Sequence, residues 1–168
     1  IKRFKQEVAE HIGLPVTYAN MPGWETTPPL AVAVANKAFK AFTRPAFCTS
    51  RLKTEPFYKW LEENGAPGDW VIYGFDAEET SRMNRRSDIM SAMGYKAVFP
   101  LADWQRTIWA TEEVGIARPS TYGTYKHANC IGCLKAGKQH WYCVYCLRPD
   151  IWEEAKAAEE TIGYSIIK

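Results

Sequence analysis

Five cysteines are the residues of this sequence best suited to chemistry: Cys48, Cys130, Cys133, Cys143 and Cys146. Cys130 and Cys133 flank Ile131 and Gly132. Two thiolates at that spacing can bind one metal, because a tight turn points both sulfurs inward and the glycine eases the turn. Cys143 and Cys146 repeat the spacing, so the late part of the chain reads C-x2-C-x9-C-x2-C, the pattern of a two-pair zinc site. A second arrangement is open. Gln139 to Tyr142 lead into a predicted helix, where Cys143 and Cys146 could equally be buried apolar residues. Cys48 would then return in space to Cys130 and Cys133, with Cys146 or Cys143 as the fourth ligand. Ligation by thiolates alone suits zinc or an iron–sulfur cluster such as a four-iron four-sulfur centre. His127 and His140 bracket the first pair. They read more simply as supporting or surface groups than as ligands, with His127 an alternative for the fourth position. The odd cysteine count, with no secretion signal in view, argues against a disulfide framework.

The whole composition sets the frame for that site. The chain has 168 residues, 46% of them apolar, enough for one domain with a core that needs no staples. A net charge of +2 argues against binding nucleic acid by charge alone and leaves room for a local basic patch. No run approaches the ~18 apolar residues of a membrane span and no signal peptide is visible, so the expectation is a cytoplasmic protein with no membrane contact. The chain opens on Ile1 rather than Met, which reads as a fragment or a processed chain.

The elements that must carry the cysteines alternate between helical and extended patterns. Phe4, Val8 and Ile12 share one face of a helix over 3–12 that Gly13 stops. Leu14–Tyr18 reads as a short strand, and Ala31–Phe42 as a possible helix within a proline-rich stretch. Thr49 or Ser50 caps a helix reaching about Glu63, kinked or delayed by Pro56. Trp70–Phe75 is a dense apolar run that fits a strand buried on both faces. Residues 77–93 form a charged helix closed by Gly94, Lys96–Phe99 the next strand, and Asp103 caps a helix to about Val114. Residues 138–147 and 150–161 are two further helices, with Asp150 a cap and Gly163 a stop. The expected fold class is α/β: a mostly parallel sheet with helices on both faces. Residues 1–120 form the α/β domain, and 121–168 a helical, cysteine-containing segment of the same domain.

Four stretches carry a resemblance, in order. Cys48-Thr49-Ser50-Arg51-Leu52-Lys53-Thr54-Glu55-Pro56-Phe57 resembles the C-T-x-x-L-K-x-x-P-[FL] segment of the phosphoadenosine phosphosulfate reductase-like family. Gly74–Arg82 is similar to its G-x-R-x-[DE]-E-S-x-R segment, and Pro100-Leu101-Ala102-Asp103-Trp104 to its P-L-x-x-W. Asn129-Cys130-Ile131-Gly132-Cys133-Leu134-Lys135 resembles its late N-C-x-x-C-x-[KR], followed by a Trp and a Pro-[DE]-x-[WF] helix. The resemblance spans the chain and is nearest to the compact versions often found in bacteriophage genomes.

The resemblance implies an adenine nucleotide alpha-hydrolase fold, similar to N-type ATP pyrophosphatases, with a five-stranded sheet. It implies an adenine nucleotide, ATP or phosphoadenosine phosphosulfate, at the carboxyl ends of the strands, in keeping with where such sheets bind ligands. On family position, Lys53, Arg82 and Arg85 are the candidate nucleotide-binding residues. Cys48, Cys130, Cys133 and Cys146 are the candidate metal ligands. The sequence departs from the family in three places. The S-G-G-K-D-S phosphate loop is not in this chain, which reads as starting after the family's second strand. No E-C-G-[IL]-H segment supplies a nucleophile, the end being Gly163–Lys168. Asp76 stands where the family has Arg.

The function expected is therefore sulfur transfer or ATP-dependent activation, with a small-molecule nucleotide and a nucleic-acid or thiol-carrier acceptor as partners. Reduction of phosphoadenosine phosphosulfate proper is the first alternative. A metal-stabilised nucleotide- or partner-binding phage protein without catalysis is the other. On the residues alone, the charges of Glu78, Glu79, Arg82, Arg85 and Arg86 also fit a solvated, ion-paired helix face. Lys135 and Lys138 could hold a phosphate or keep their loop in water, and Trp24 could stack on a base.

Overall fold

The computed structural model describes residues 2–39, 46–125 and 129–167. The chain divides into two compact units, Ile1–Lys59 with Arg118–Lys168, and Trp60–Ala117. The segment beyond residue 120 therefore clusters with the N-terminal part of the chain.

In the first unit, α1 (Lys2–Ile12) is held along its exposed face by Arg3–Glu7 and by Gln6 donating to Glu10 at 2.9 Å. Gly13, at φ +68°, ends it. Residues 14–18 are an exposed irregular segment rather than the expected strand. Pro15 removes a ladder donor, and none of the described strands pairs with the segment, which leaves an isolated extended stretch without stabilisation. Helix α2 (Pro29–Ala35) is shorter than the expected 31–42. It starts on Pro29 in the first turn and closes where the Asn36 side chain donates to the Val32 carbonyl at 2.8 Å. Residues 40–42 lie outside the described residues.

The short helix α3 (Phe47–Thr49) widens into a π turn over Ser50–Thr54 and then tightens into α4 (Glu55–Asn64). Pro56 has no N–H to donate back, and the extra residue per turn takes up the mismatch that a straight α-helix would leave. The Thr54 hydroxyl donates to the Thr49 carbonyl at 3.3 Å, filling a bond the wider turn opens. The long regular α-helix thus starts only at Glu55, one residue before Pro56, which is the late start the proline suggested.

Helices α7 (Lys138–Leu147) and α8 (Pro149–Ile162) complete the first unit. Arg148 rather than Asp150 is the residue before α8. Asp150 lies in the first turn, where its carboxylate accepts from Arg148 Nε at 2.9 Å. Beyond Gly163 the chain turns back, and the Ile166 N–H donates to Glu159 Oε1 at 2.6 Å. Leu30 and Ala33 of α2, Trp141 and Val144 of α7, and Ala155 and Ala158 of α8 bury against Phe39, Tyr125, Leu134 and Ile166.

The second unit holds strands β1 (Trp70–Ile72) and β2 (Lys96–Val98), paired in parallel with Val71 opposite Ala97. Among the described residues these form the only sheet, so the chain is α/β in the coarse sense, helix-rich with a small parallel sheet. Trp70 and Ile72 are exposed, so β1 is covered on one face only, against the expectation of burial on both. The crossover between the strands is a short 3-10 turn (Ala77–Glu79) and α5 (Thr80–Ala92), with Met90 fully buried.

After β2, α6 (Pro100–Asp103) ends where a helix was expected to begin. Glu113 Oε1 accepts from the Trp109 and Ala110 N–H groups at 3.1 and 2.9 Å, and a separate 3-10 turn starts at Thr111. Trp104 and Ile108, which lie along the expected helix, are exposed, and without burial a short helix is not self-supporting.

Candidate metal centre

Two segments far apart in sequence come to rest on α2. Helix α3, which carries Cys48, packs on it directly. The turn between Cys130 and Cys133 lies against it at Gly132, where a Cβ would stand 3.4 Å from Leu30 Cδ1 and 3.3 Å from Ile151 Cγ2 of α8. A side chain would not fit there without displacing one of them, which gives the glycine a packing reason besides the ease of the turn. Cys48 and Ile131 both pack on the core cluster to which Leu30 belongs.

This placement brings Cys48 within Coulombic reach of both Cys130 and Cys133. The Cys48 thiol is pushed above its ordinary value of 9.0, first by burial and then by the negative charge of the Cys130 and Cys133 thiolates, with hydrogen bonds at Thr49 pulling the other way. Cys48 and Cys133 are half-buried and Cys130 is exposed. Among the described residues, no three His, Cys, Asp or Glu side chains are gathered tightly enough to hold one metal ion as they stand.

Helix α7 steadies the turn from its other side. His140 Nε2 lies 2.7 Å from the Ile131 carbonyl oxygen, and its ring packs on Tyr125 with centroids 4.8 Å apart. The contact requires a proton on Nε2, which donates to the carbonyl. Cys143 directs its Sγ to the Thr124 carbonyl at 3.9 Å and, with His140 and Tyr125, lines a cavity of about 250 Å3. Cys146 is exposed one turn on, where its hydrogen bond holds the Tyr142 hydroxyl above its ordinary value. Neither Cys143 nor Cys146 is among the groups acting most strongly on Cys48. Cys48 thus lies near Cys130 and Cys133 without closing on one point with them, and Cys146 lies beside Tyr142; His127 lies outside the described residues.

The candidate nucleotide residues fall in different units. Lys53 is exposed on the π turn of the first. Nearby, Arg51 pairs with Glu55 at 2.6 Å and lies 5.4 Å from the centroid of Trp24, the loop indole expected to stack on a base. Arg82 and Arg85 are on α5 of the second unit, both exposed. Arg82 is paired with Glu79 and lies 4.4 Å from the Phe75 ring centroid. Arg82 thus lies against the loop at the carboxyl end of β1, where Tyr73, Phe75 and Phe99 form a triangle of rings with centroids 5.5 to 6.0 Å apart and Arg86 lies 5.8 Å from the Tyr73 centroid. Asp76 caps the turn after β1 through the Ala77 N–H at 2.8 Å.

One partner there was not legible in the sequence. Arg106 Nη2 meets Asp76 Oδ2 at 2.8 Å, and the guanidinium holds the carboxyl below the usual carboxylate range. The acidic side chain at position 76 therefore has an arginine brought to it from thirty residues away. No spacing rule marks residue 106, and only the loop after α6 delivers it.

Comparison with protein-family models, with curated proteins and with solved structures finds no match. Among the described residues no helix is long and apolar enough to cross a membrane.

Proposed function

We propose that this chain is a sulfonucleotide reductase-like protein built around a cysteine-ligated metal centre at Cys48, Cys130 and Cys133. In this reading it binds an adenine nucleotide and takes part in sulfur transfer or ATP-dependent activation. The observation that carries the reading is the convergence of Cys48 with the Cys130–Cys133 turn on α2. Nothing in the apolar packing requires three thiols at one place. A single zinc ion needs sulfurs about 2.3 Å from its centre. An iron–sulfur cluster is a larger body whose ligand sulfurs stand further apart, so three thiols that approach without closing on one point suit the cluster better. The bound group would neutralise the thiolates and tie α3 to the late turn. Cys143 or Cys146 would supply the fourth thiolate.

The nucleotide half of the reading is supported by the carboxyl end of the β1–β2 pair, where ligands of parallel sheets bind. Phe75 and Tyr73 offer flat faces there, and Arg82, Arg85 and Arg106 supply cations suited to phosphate. The larger sheet of an adenine nucleotide alpha-hydrolase fold, with helices on both faces, belongs to the same proposal. The test is anaerobic purification followed by iron, zinc and acid-labile sulfide analysis and a visible spectrum, then titration with ATP. A broad visible band with iron and sulfide, and ATP binding weakened by Arg82→Ala, is expected. Protein that is folded, free of metal and indifferent to ATP overturns the reading.

A further inference from the structure

A cavity of about 540 Å3 lies between α7, α8 and the returning tail. That is within the range of small-ligand sites. Its walls are aromatic: Trp141, Tyr142 and Tyr145 from α7 and Trp152 from α8. Tyr145 meets Trp152 edge to face, at 5.2 Å between centroids and 73° between planes, and Trp141 meets Trp152 at 6.4 Å and 61°. Trp141, 4% exposed, belongs to the core, while Tyr142 and Tyr145 are 67% and 56% exposed. Two phenol rings left this open to water beside a cavity are available for stacking by a flat ligand. The indole N–H of Trp141 is buried with no protein acceptor, an unmet donor beside the same cavity.

Charge selects among flat ligands. The unit that contains the cavity has sixteen Lys and Arg against nine Asp and Glu, net +7, whereas the other unit has five against ten, net −5. The modest charge of the whole chain conceals this division. At the cavity, Glu159 is engaged by the Ile166 N–H and Lys156 by Glu153, which leaves Lys138, in the first turn of α7, as the lining cation without an ion-pair partner among the described residues. A flat ring system bearing phosphate is what open aromatic faces and a lysine, on a unit of net positive charge, recognise.

We propose that this cavity binds a phosphate-bearing nucleobase, either one base of a single strand or a free nucleotide, stacked against Tyr142, Tyr145 and Trp152 with its phosphate drawn by Lys138. The site uses none of the residues assigned to the metal or to ATP, and it stands whether or not the chain holds a metal.

The test is fluorescence anisotropy of the full chain with a short labelled oligodeoxyadenylate at low salt, with unlabelled adenosine monophosphate as competitor. Tyr142→Ala and Tyr145→Ala, both exposed and so expected to fold, should each weaken binding about tenfold. Lys138→Gln should weaken it and flatten its salt dependence. Trp104→Ala, on the other unit, should leave it unchanged. Oligonucleotide binding much tighter than the monophosphate identifies a strand as the ligand, and equal affinities identify a free nucleotide. Absence of binding to either probe, or binding untouched by both tyrosine substitutions, overturns the proposal.

Discussion

His140 Nε2 stands 2.7 Å from the carbonyl oxygen of Ile131, so a helix after the first cysteine pair holds the turn inside it. The bond spans nine residues and fixes the middle of Cys130-Ile131-Gly132-Cys133 from the α7 side. His140→Ala should cost about 1 kcal/mol for the lost hydrogen bond, and somewhat more for the ring removed from Tyr125. Urea denaturation of the metal-free protein measures the loss. His140→Gln, whose amide can still donate, should recover part of it. A full loss with glutamine would mean that ring packing alone is at work.

Gly132 fixes the same turn from the α2 side. Its missing Cβ would stand 3.3 Å from Ile151 and 3.4 Å from Leu30, close enough that Ile151 must give way by a few tenths of an ångström. Gly132→Ala should be tolerated at about 1 kcal/mol, since each neighbour is the end of an aliphatic side chain. Gly132→Val should cost more, about 1–3 kcal/mol, and should lower metal retention by lifting the turn off α2. Equal stability of the three proteins would contradict the packing described here.

The Asp76–Arg106 pair makes a prediction about pH. Arg106 first, and the Ala77 N–H second, hold the Asp76 carboxyl below its ordinary 3.8. A carboxylate depressed in the fold contributes stability above its unfolded value and loses that contribution as pH falls through the folded value. Arg106→Ala should therefore return the Asp76 titration upward, read from its side-chain carbonyl resonance by NMR. Because the pair is open to water, the effect should shrink in high salt. A titration unmoved by Arg106→Ala would remove the contact.

Thiol reactivity separates the cysteines. In metal-free protein, Cys130 and Cys146, both exposed, should alkylate first at mildly alkaline pH. Cys48 should follow last, being half-buried with its thiol pushed up. Loading with metal should protect Cys48, Cys130 and Cys133 together and leave Cys146 reactive. Peptide mass spectrometry after a timed iodoacetamide pulse reads the order. Protection of Cys143 and Cys146 as a pair would favour a two-pair zinc site instead.

The sequence made parts of this legible because their causes are local. Gly13 and Gly163 do end helices in left-handed conformation, and the apolar runs at 70–72 and 96–98 do pair as parallel strands. Residues 14–18 and 103–114 misled for the same physical reason. An extended or amphipathic pattern forms its element only when a partner buries it, and here Val16, Trp104 and Ile108 stay exposed. The π turn before Pro56 was legible only as a disturbance. At the site, residue type and spacing marked Cys130 and Cys133, while the relation of Cys48 to them rested on an ordered resemblance. The His140–Ile131 bond and the Asp76–Arg106 pair follow from tertiary placement and leave no trace in spacing.

The most direct measurement of the central claim is metal content per chain in anaerobically prepared Cys48→Ser, Cys130→Ser, Cys143→Ser and Cys146→Ser proteins beside the unchanged protein. The account predicts that Cys48→Ser empties the centre as fully as Cys130→Ser, despite the long stretch of chain between them. Full metal in Cys48→Ser, with loss in Cys143→Ser and Cys146→Ser, would contradict it and return the late cysteines to a self-contained zinc site.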